Sequence, residues 1–192
     1  MKPYTLIVAA TKTLGIGIGG GLPWRLPKDM AFFKHVTTLI PTNSPEHLQN
    51  VVIMGRVTWE SIPPKFRPLA GRFNIVISRN PDYDLQGAPN TVLVDSLEKA
   101  LSLVDDERHG RVFVIGGAHM YRLAMGEKHC SHILMTRIES NIECDTFFPA
   151  INDQEFHRAS HQELETYVEQ VVPQGIQTHK DLEYEFLLYV RS

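Results

Sequence analysis

The stretch Val112-Phe113-Val114-Ile115-Gly116-Gly117-Ala118-His119-Met120-Tyr121 reads as a strand, a tight turn and the start of a helix. Val112–Ile115 is wholly apolar, as expected of a central strand covered on both faces. Gly116-Gly117 makes the turn, and Ala118–Met125 continues as a helix stopping at Gly126, a C-cap glycine. Bare amides at a helix start, at the positive end of its dipole, suit an anion. The same residues also make an ordinary strand–turn–helix connection, and the segment alone leaves both readings open.

Working outward, apolar runs bounded by turn residues recur. Thr5–Ala10, Val51–Met54, Phe73–Ser78, Thr91–Val94 and His132–Ile138 read as strands, with Glu155–His161 and Leu182–Val190 alternating more weakly. Helices fall between them. Lys28–Thr38 begins after Pro27 and carries Met30, Phe33 and Val36 at three-residue spacing, read as one apolar stripe. Arg56–Ser61 stops before Pro63-Pro64, and Ser96 N-caps Leu97–Val104. Strands alternate with helices through the first two thirds, and strands dominate the last. The pattern predicts an α/β fold with a mixed, mostly parallel sheet and antiparallel strands at one edge.

Two further strand ends carry chemistry suited to phosphate. Gly55-Arg56-Val57-Thr58 joins a strand to a short helix and adds a guanidinium and a hydroxyl; Ser78-Arg79 closes another strand. Open α/β sheets bind ligands at the carboxyl ends of their strands, so three such ends suggest a ligand with several phosphates. By contrast, Gly15-Ile16-Gly17-Ile18-Gly19-Gly20 matches the dinucleotide glycine pattern only in letters. Pro23 and Pro27 follow at once, so no helix runs on from it. A mobile glycine-rich loop beside a ligand fits better.

Asp29 lies at the start of the Lys28–Thr38 helix. Favourable pairing with the helix dipole accounts for a carboxylate there. That is the usual reason, and the functional alternative is a partly buried carboxylate with a perturbed pKa, gripping a protonated heterocycle.

Composition narrows the class. The 192 residues are 43% hydrophobic and 21% charged, an ordinary globular balance. A net charge of −3 argues against a nucleic-acid-binding face. Two cysteines, Cys130 and Cys144, make no disulfide framework. His129, Cys130 and His132 cluster without a third and fourth metal ligand beyond them, so no metal is expected. The run Tyr4–Ala10 after Lys2 is too short for a signal peptide or a membrane span and reads as a first core strand. A soluble, cytoplasmic monomer is expected.

Taken in order, Leu22-Pro23-Trp24, Asp29 on the next helix, Val52-Ile53-Met54-Gly55-Arg56-Val57-Thr58-Trp59, Arg67-Pro68-Leu69, Gly71-Arg72, Ile77-Ser78-Arg79, Ile115-Gly116-Gly117-Ala118-His119-Met120-Tyr121 and Asp145-Thr146-Phe147-Phe148-Pro149 resemble the dihydrofolate reductase family. The resemblance covers about Tyr4 to Val190, and the length resembles the fungal type of eukaryotic, single-function member. It implies one domain over residues 1–192, with an eight-stranded mixed sheet and about four helices. It implies NADPH as cofactor, dihydrofolate as substrate, and antifolates of the methotrexate and trimethoprim kind as inhibitors.

Site residues follow from the resemblance. The catalytic set is Asp29, Leu22, Trp24 and Thr136, with Thr136 fixing the Asp29 carboxylate directly or through water. The proton arrives from water admitted past Leu22, and Asp29 tunes its transfer. Phe33, Ile62, Leu69 and Ile115 sandwich the pterin and benzoyl rings. Ile7, Val8, Ala9, Met30, Phe66 and Tyr121 complete that site, while Arg72 grips the glutamate carboxylate and Lys34 adds charge near it. For NADPH, Arg56, Ser78 and Arg79, with Ile77, read the 2′-phosphate. Gly55, Val57, Thr58, Gly116, Gly117, Ala118, His119 and Met120 meet the pyrophosphate region. Ala9, Ala10, Ile16, Gly17, Gly20, Gly21, Leu22, Ile115 and Tyr121 surround the nicotinamide. Gly116-Gly117 and Arg67-Pro68 resemble the family's cis peptide bonds.

The chain departs from the family's pattern at Ile18, at Gly19-Gly20-Gly21, at Phe66 and at Asp95, the last where a basic residue is common. Asp29 is the shorter acid where many eukaryotic members have Glu. Two other readings stand beside this one: a pterin or riboflavin-pathway reductase of the same fold, and a non-catalytic NADPH-binding module.

Overall fold

In the computed structural model, which describes residues 2–192, strict alternation along each strand decides how the chain packs. On β1 (Tyr4–Thr11), Leu6, Val8 and Ala10 point to one face and Ile7 and Ala9 to the other. The same split recurs on β3 (Gln49–Gly55), where Val51 and Ile53 oppose Val52 and Met54. It recurs again on β6 (His109–Gly116), where Val112 and Val114 oppose Phe113 and Ile115. Two cores therefore form, one on each face of a single sheet.

The first core is closed by α3 (Leu97–Ser102) and α4 (Ala118–Met125). The second is closed by α1 (Pro27–Thr38), α2 (Arg56–Ser61) and α5 (His161–Val168). The remaining strands are β2 (Gly15–Gly17), β4 (Phe73–Ile77), β5 (Thr91–Val94), β7 (Cys130–Ile138), β8 (Thr146–Phe147), β9 (Phe156–Arg158), β10 (Gln177–His179) and β11 (Leu182–Arg191). Eight of the described strands run in the order β10-β11-β7-β1-β6-β3-β4-β5, β9 pairs with the end of β11, and β2 pairs with β8 apart from them. Pairing is parallel from β7 to β5 and antiparallel around β11, matching the mixed sheet expected from the sequence. No helix among the described residues is long and apolar enough to cross a membrane.

Among the described residues there are five helices, against the about four expected, besides a 3-10 turn at Pro64–Phe66. Two expectations need correction. The span Glu155–His161 is a strand only over Phe156–Arg158, after which Ser160 caps α5 in a reciprocal capping box with Glu163. On α1, the core-facing residues are Phe32, Val36 and Thr37, while Met30 stays 59% exposed. Three-residue steps fall short of a 3.6-residue turn, so Met30, Phe33 and Val36 drift around the helix. The drift turns Met30 out of the core. At the other boundary, α4 stops at Gly126 as expected, but with φ −72° and not in the left-handed region.

Candidate active site

The carboxyl ends of β1, β3, β4 and β6 open on one edge of the sheet, and α1 lies along the face of the second core. The register sets Thr136 between Ala9 on β1 and Phe186 on β11. Asp29, in the first turn of α1, reaches down to that row. Thr136 Oγ1 donates to Asp29 Oδ1 across 2.5 Å. Tyr184 and Phe186 of β11 and Phe32 of α1 pack as an aromatic wall in the same core, with Phe32 and Phe186 ring centres 4.4 Å apart. Burial pushes the Asp29 carboxyl up to about 6, against the smaller opposing pull of the Thr136 hydroxyl. Position near a helix N-terminus is thus only part of its situation: desolvation outweighs what stabilises the charge.

Phe33, Ile62, Leu69 and Ile115 are half-buried against the second core, and Leu22, Met30 and Phe66 are largely exposed. Ile7 and Ala9 face this side, whereas Val8 and Ala10 turn their side chains into the first core. Those two offer a ligand here only main chain. Trp24 is buried in the second core. Tyr121 is buried beneath the strand ends, its hydroxyl shared between the carbonyls of Ile7 (2.7 Å) and Ile115 (2.8 Å). It ties β1 to β6.

Arg72 is buried, with 4% of its surface exposed. Its Nε donates to the Ala70 carbonyl and its Nη1 to Thr37 Oγ1, both at 2.9 Å. Nη2 makes no hydrogen bond among the described residues, yet no enclosed side-chain polar atom lacks a partner, so this edge meets solvent. A fork held on two sides and open on the third is arranged to take a planar anion. Lys34 is exposed on the same helix that carries Thr37.

At the ends of β3 and β4, Arg56, Ser78, Arg79, Asn80 and Tyr83 line a cavity of about 430 Å³. Ile77, which precedes Ser78, is buried. At the end of β6, the Gly116–Gly117 peptide is cis, as is Arg67–Pro68. Gly116 has φ +146°, and a Cβ there would lie 2.7 Å from Thr58 Oγ1. Only glycine allows β6 to close against α2 in this way. Gly117 caps α4, and Gly55, Ala118 and His119 lie within or beside the same turn. Val57 is 57% exposed, and Met120 is buried in the first core. Two guanidiniums and a serine thus share one cavity, and a glycine turn opens the helix α4, an arrangement suited to phosphate.

The glycine run ends in a short hairpin. Gly15–Gly17 pairs with Thr146–Phe147, and Ile18 and Gly21 exchange two hydrogen bonds of 3.0 Å. Gly19 and Gly20 form its tip at φ +59° and +82°, as a two-residue primed turn requires. Ile16 is half-buried against the first core. Asp145 ties the hairpin down. Its Oδ2 accepts from the Gly19 amide (3.0 Å) and its own amide donates to the Gly17 carbonyl (2.9 Å). Sequence reasoning assigned Asp145 no role, although it opens one of the quoted motifs. Thr37, Glu60 and Tyr83 were also passed over. Glu60 stands four residues after Arg56 on α2, a spacing that marks an ion pair on any helix.

A larger cavity, about 540 Å³, lies between α5 and the sheet, lined by residues including Arg111, His132 and Tyr167. Of the residues singled out in the sequence it holds His132, and none of those assigned to substrate or cofactor.

Fold and site together define an α/β protein whose strand ends carry arginines, a serine and a glycine turn suited to phosphate, and whose Asp29 is half-buried against the sheet. The family description "Dihydrofolate reductase" matches residues 4–180. A dihydrofolate reductase of Pneumocystis carinii is 41% identical over the whole of this chain and 98% of its own length. One from Heliothis virescens is 40% identical over 96% of this chain and 95% of its own. The solved structure of Schistosoma mansoni dihydrofolate reductase superposes with a TM-score of 0.80 at 34% identity, covering 98% of both chains. The chain belongs to the dihydrofolate reductase family, and it is an oxidoreductase.

Proposed function

We propose that this enzyme reduces 7,8-dihydrofolate to 5,6,7,8-tetrahydrofolate with NADPH. The observation that carries the reading is Asp29: a desolvated carboxyl, hydrogen-bonded by Thr136, among the apolar residues that suit a pterin. When bound, NADPH supplies a hydride to the imine carbon of the pterin and leaves as NADP⁺.

The chain's own residues do the rest. Asp29 accepts from the pterin amino group and ring nitrogen, which favours protonation of the adjacent imine nitrogen by water entering past Leu22. Thr136 fixes which carboxylate oxygen is free. Phe33, Ile62, Leu69 and Ile115 hold the rings flat, and Met30, Phe66 and Leu22 exclude water once a ligand covers them. Arg72 binds the glutamate carboxylate through its open edge, with Lys34 nearby. Arg56, Ser78 and Arg79 would hold the 2′-phosphate; Thr58, Gly117, Ala118 and His119 would hold the pyrophosphate. The glycine-rich segment Gly15–Leu22 would cover the nicotinamide, which Ala9, Ala10, Ile16 and Tyr121 would line. The same reading takes residues 1–192 as one reductase domain, monomeric and cytoplasmic, and makes antifolates its inhibitors.

The test is oxidation of NADPH by purified protein with dihydrofolate, with and without methotrexate. Methotrexate-sensitive oxidation is the expected result. Tight NADPH binding without oxidation of it by dihydrofolate would favour a riboflavin-pathway reductase or a silent binding module instead.

A further inference from the structure

The cavity formed by Arg56, Ser78, Arg79, Asn80 and Tyr83 already contains part of its own answer to an anion. Arg56 Nη1 donates to both oxygens of Glu60, at 3.0 and 3.2 Å. Tyr83, from the loop after β4, donates its hydroxyl to Glu60 Oε2 at 2.8 Å, and the Arg56 guanidinium lies over the Tyr83 ring at 5.9 Å. Glu60 itself does not line the cavity. Three side chains from α2 and a distant loop therefore close a loop of contacts, with a carboxylate behind one of two arginines. Arg79, the other, makes no ion pair among the described residues. The Tyr83 hydroxyl first, and Arg56 after it, hold the Glu60 carboxyl below the usual carboxylate range, so it is ionised at neutral pH.

We propose that Glu60 is a built-in competitor for Arg56, held in place by Tyr83, and that it sets how strongly the site prefers a phosphorylated dinucleotide over an unphosphorylated one. The proposal rests on the reading of this cavity as the 2′-phosphate site. A phosphate that reaches Arg56 either draws the guanidinium off Glu60 or shares it with a carboxylate one residue-length away. In both cases the phosphate meets a like charge that an unphosphorylated ribose does not. An exposed i,i+4 pair by itself is weak, so a free Glu60 would yield readily. The Tyr83 hydrogen bond makes yielding harder. Glu60 is thus a specificity-determining residue that never touches the reacting atoms. Asp95 adds negative charge on the neighbouring strand end, following Val94, whose carbonyl accepts from the Ser78 amide at 2.9 Å.

The experiment measures dissociation constants of NADPH and NADH by fluorescence quenching for the full chain and for Glu60→Gln, Tyr83→Phe and Arg56→Ala, at low and high salt. Glu60→Gln keeps size and polarity but removes the charge. It should tighten NADPH about three- to tenfold at low salt, leave NADH within about twofold, and lose most of that gain at high salt. Tyr83→Phe should shift NADPH the same way but less, with no further effect in the Glu60→Gln background. Unchanged or weakened NADPH binding in Glu60→Gln overturns the proposal. Arg56→Ala separates the two layers. Selective weakening of NADPH supports the cavity as the phosphate site, whereas equal effects on NADPH and NADH overturn that reading and the proposal with it.

Discussion

The hydroxyl of Thr136, near the carboxyl end of β7, donates to Oδ1 of Asp29 at the start of α1, 107 residues earlier in the chain. One hydrogen bond thus fixes a helix to the sheet and orients the acid. Its energetics are opposed: Thr136 favours the carboxylate, burial disfavours it, and burial prevails.

The first prediction follows from that sign. The folded pKa of Asp29, about 6, lies above the unfolded value of 3.8, so the folded state holds the proton more tightly. Ionising Asp29 therefore costs stability, nothing below pH 3.8 and the full amount above about 6. Asp29→Asn removes the cost and keeps an oxygen for Thr136. Without ligands, its melting temperature should match the native protein's near pH 4 and exceed it at pH 7, by about 1–3 kcal/mol of stability. An Asn variant no more stable at pH 7 than at pH 4, relative to the native chain, would contradict the desolvation argument.

Arg72 yields a prediction that separates substrates. Arg72→Ala should raise KM for dihydrofolate about 30- to 1000-fold, equivalent to about 2–4 kcal/mol for a buried charged pair. Dihydropteroate, which lacks the glutamate, should lose little. Thr37→Val, which deprives Nη1 of its acceptor, should cost about 1–3 kcal/mol of stability in addition to weakening dihydrofolate. Equal losses for both substrates would place Arg72 in folding alone.

How much of this was legible in the sequence depends on distance along the chain. The strand–turn–helix at Val112–Met125 is local, and its elements lie within a few residues of where its apolar run, glycines and helix formers put them. All seven strands of four or more residues were legible for the same reason. By contrast β2, β8 and β10 have two or three residues each, too few to show a period, and they exist because partners far away complete their hydrogen bonds. α5 was missed because His161–Val168 buries only Leu164 and Val168; its readable sign was the capping box from Ser160 to Glu163. Within the site, Asp29, Arg72 and the glycine turn announced themselves by motif. Thr37, Asp145 and the Glu60–Tyr83 contact did not, since each acts through a partner that only the folded chain supplies.

Gly116 tests the close approach of β6 to α2. In Gly116→Ala the new Cβ meets Thr58 Oγ1 at 2.7 Å and the residue keeps φ +146°, whereas at Gly117 the same atom is 3.5 Å away. Gly116→Ala should lose about 1–3 kcal/mol of stability, measured by denaturant unfolding, and Gly117→Ala clearly less. Adding Thr58→Ala to Gly116→Ala should restore part of the loss, because the clash goes and the backbone strain stays.

Asp145 tests the hairpin clamp. Its carboxyl is held below the usual range, first by the Gly19 amide and then by the Thr146 hydroxyl, so the clamp is present above the ordinary carboxylate pKa and lost as pH falls through the lowered folded value. Asp145→Ala should raise amide hydrogen exchange at Gly19 and Gly21 while leaving the core strands protected. It should also change turnover more than the single-turnover hydride step, as Gly20→Ala should. Equal effects on both steps would deny the hairpin a gating role.

The most direct test of Asp29 as the residue that carries the reduction is the pH dependence of single-turnover hydride transfer from NADPH to dihydrofolate. The native chain should show one ionisation governing the rate, and Asp29→Asn should lose both that dependence and about 10²–10⁴ of the rate at pH 7. An Asn variant that retains the native rate and the native pH profile would contradict the account.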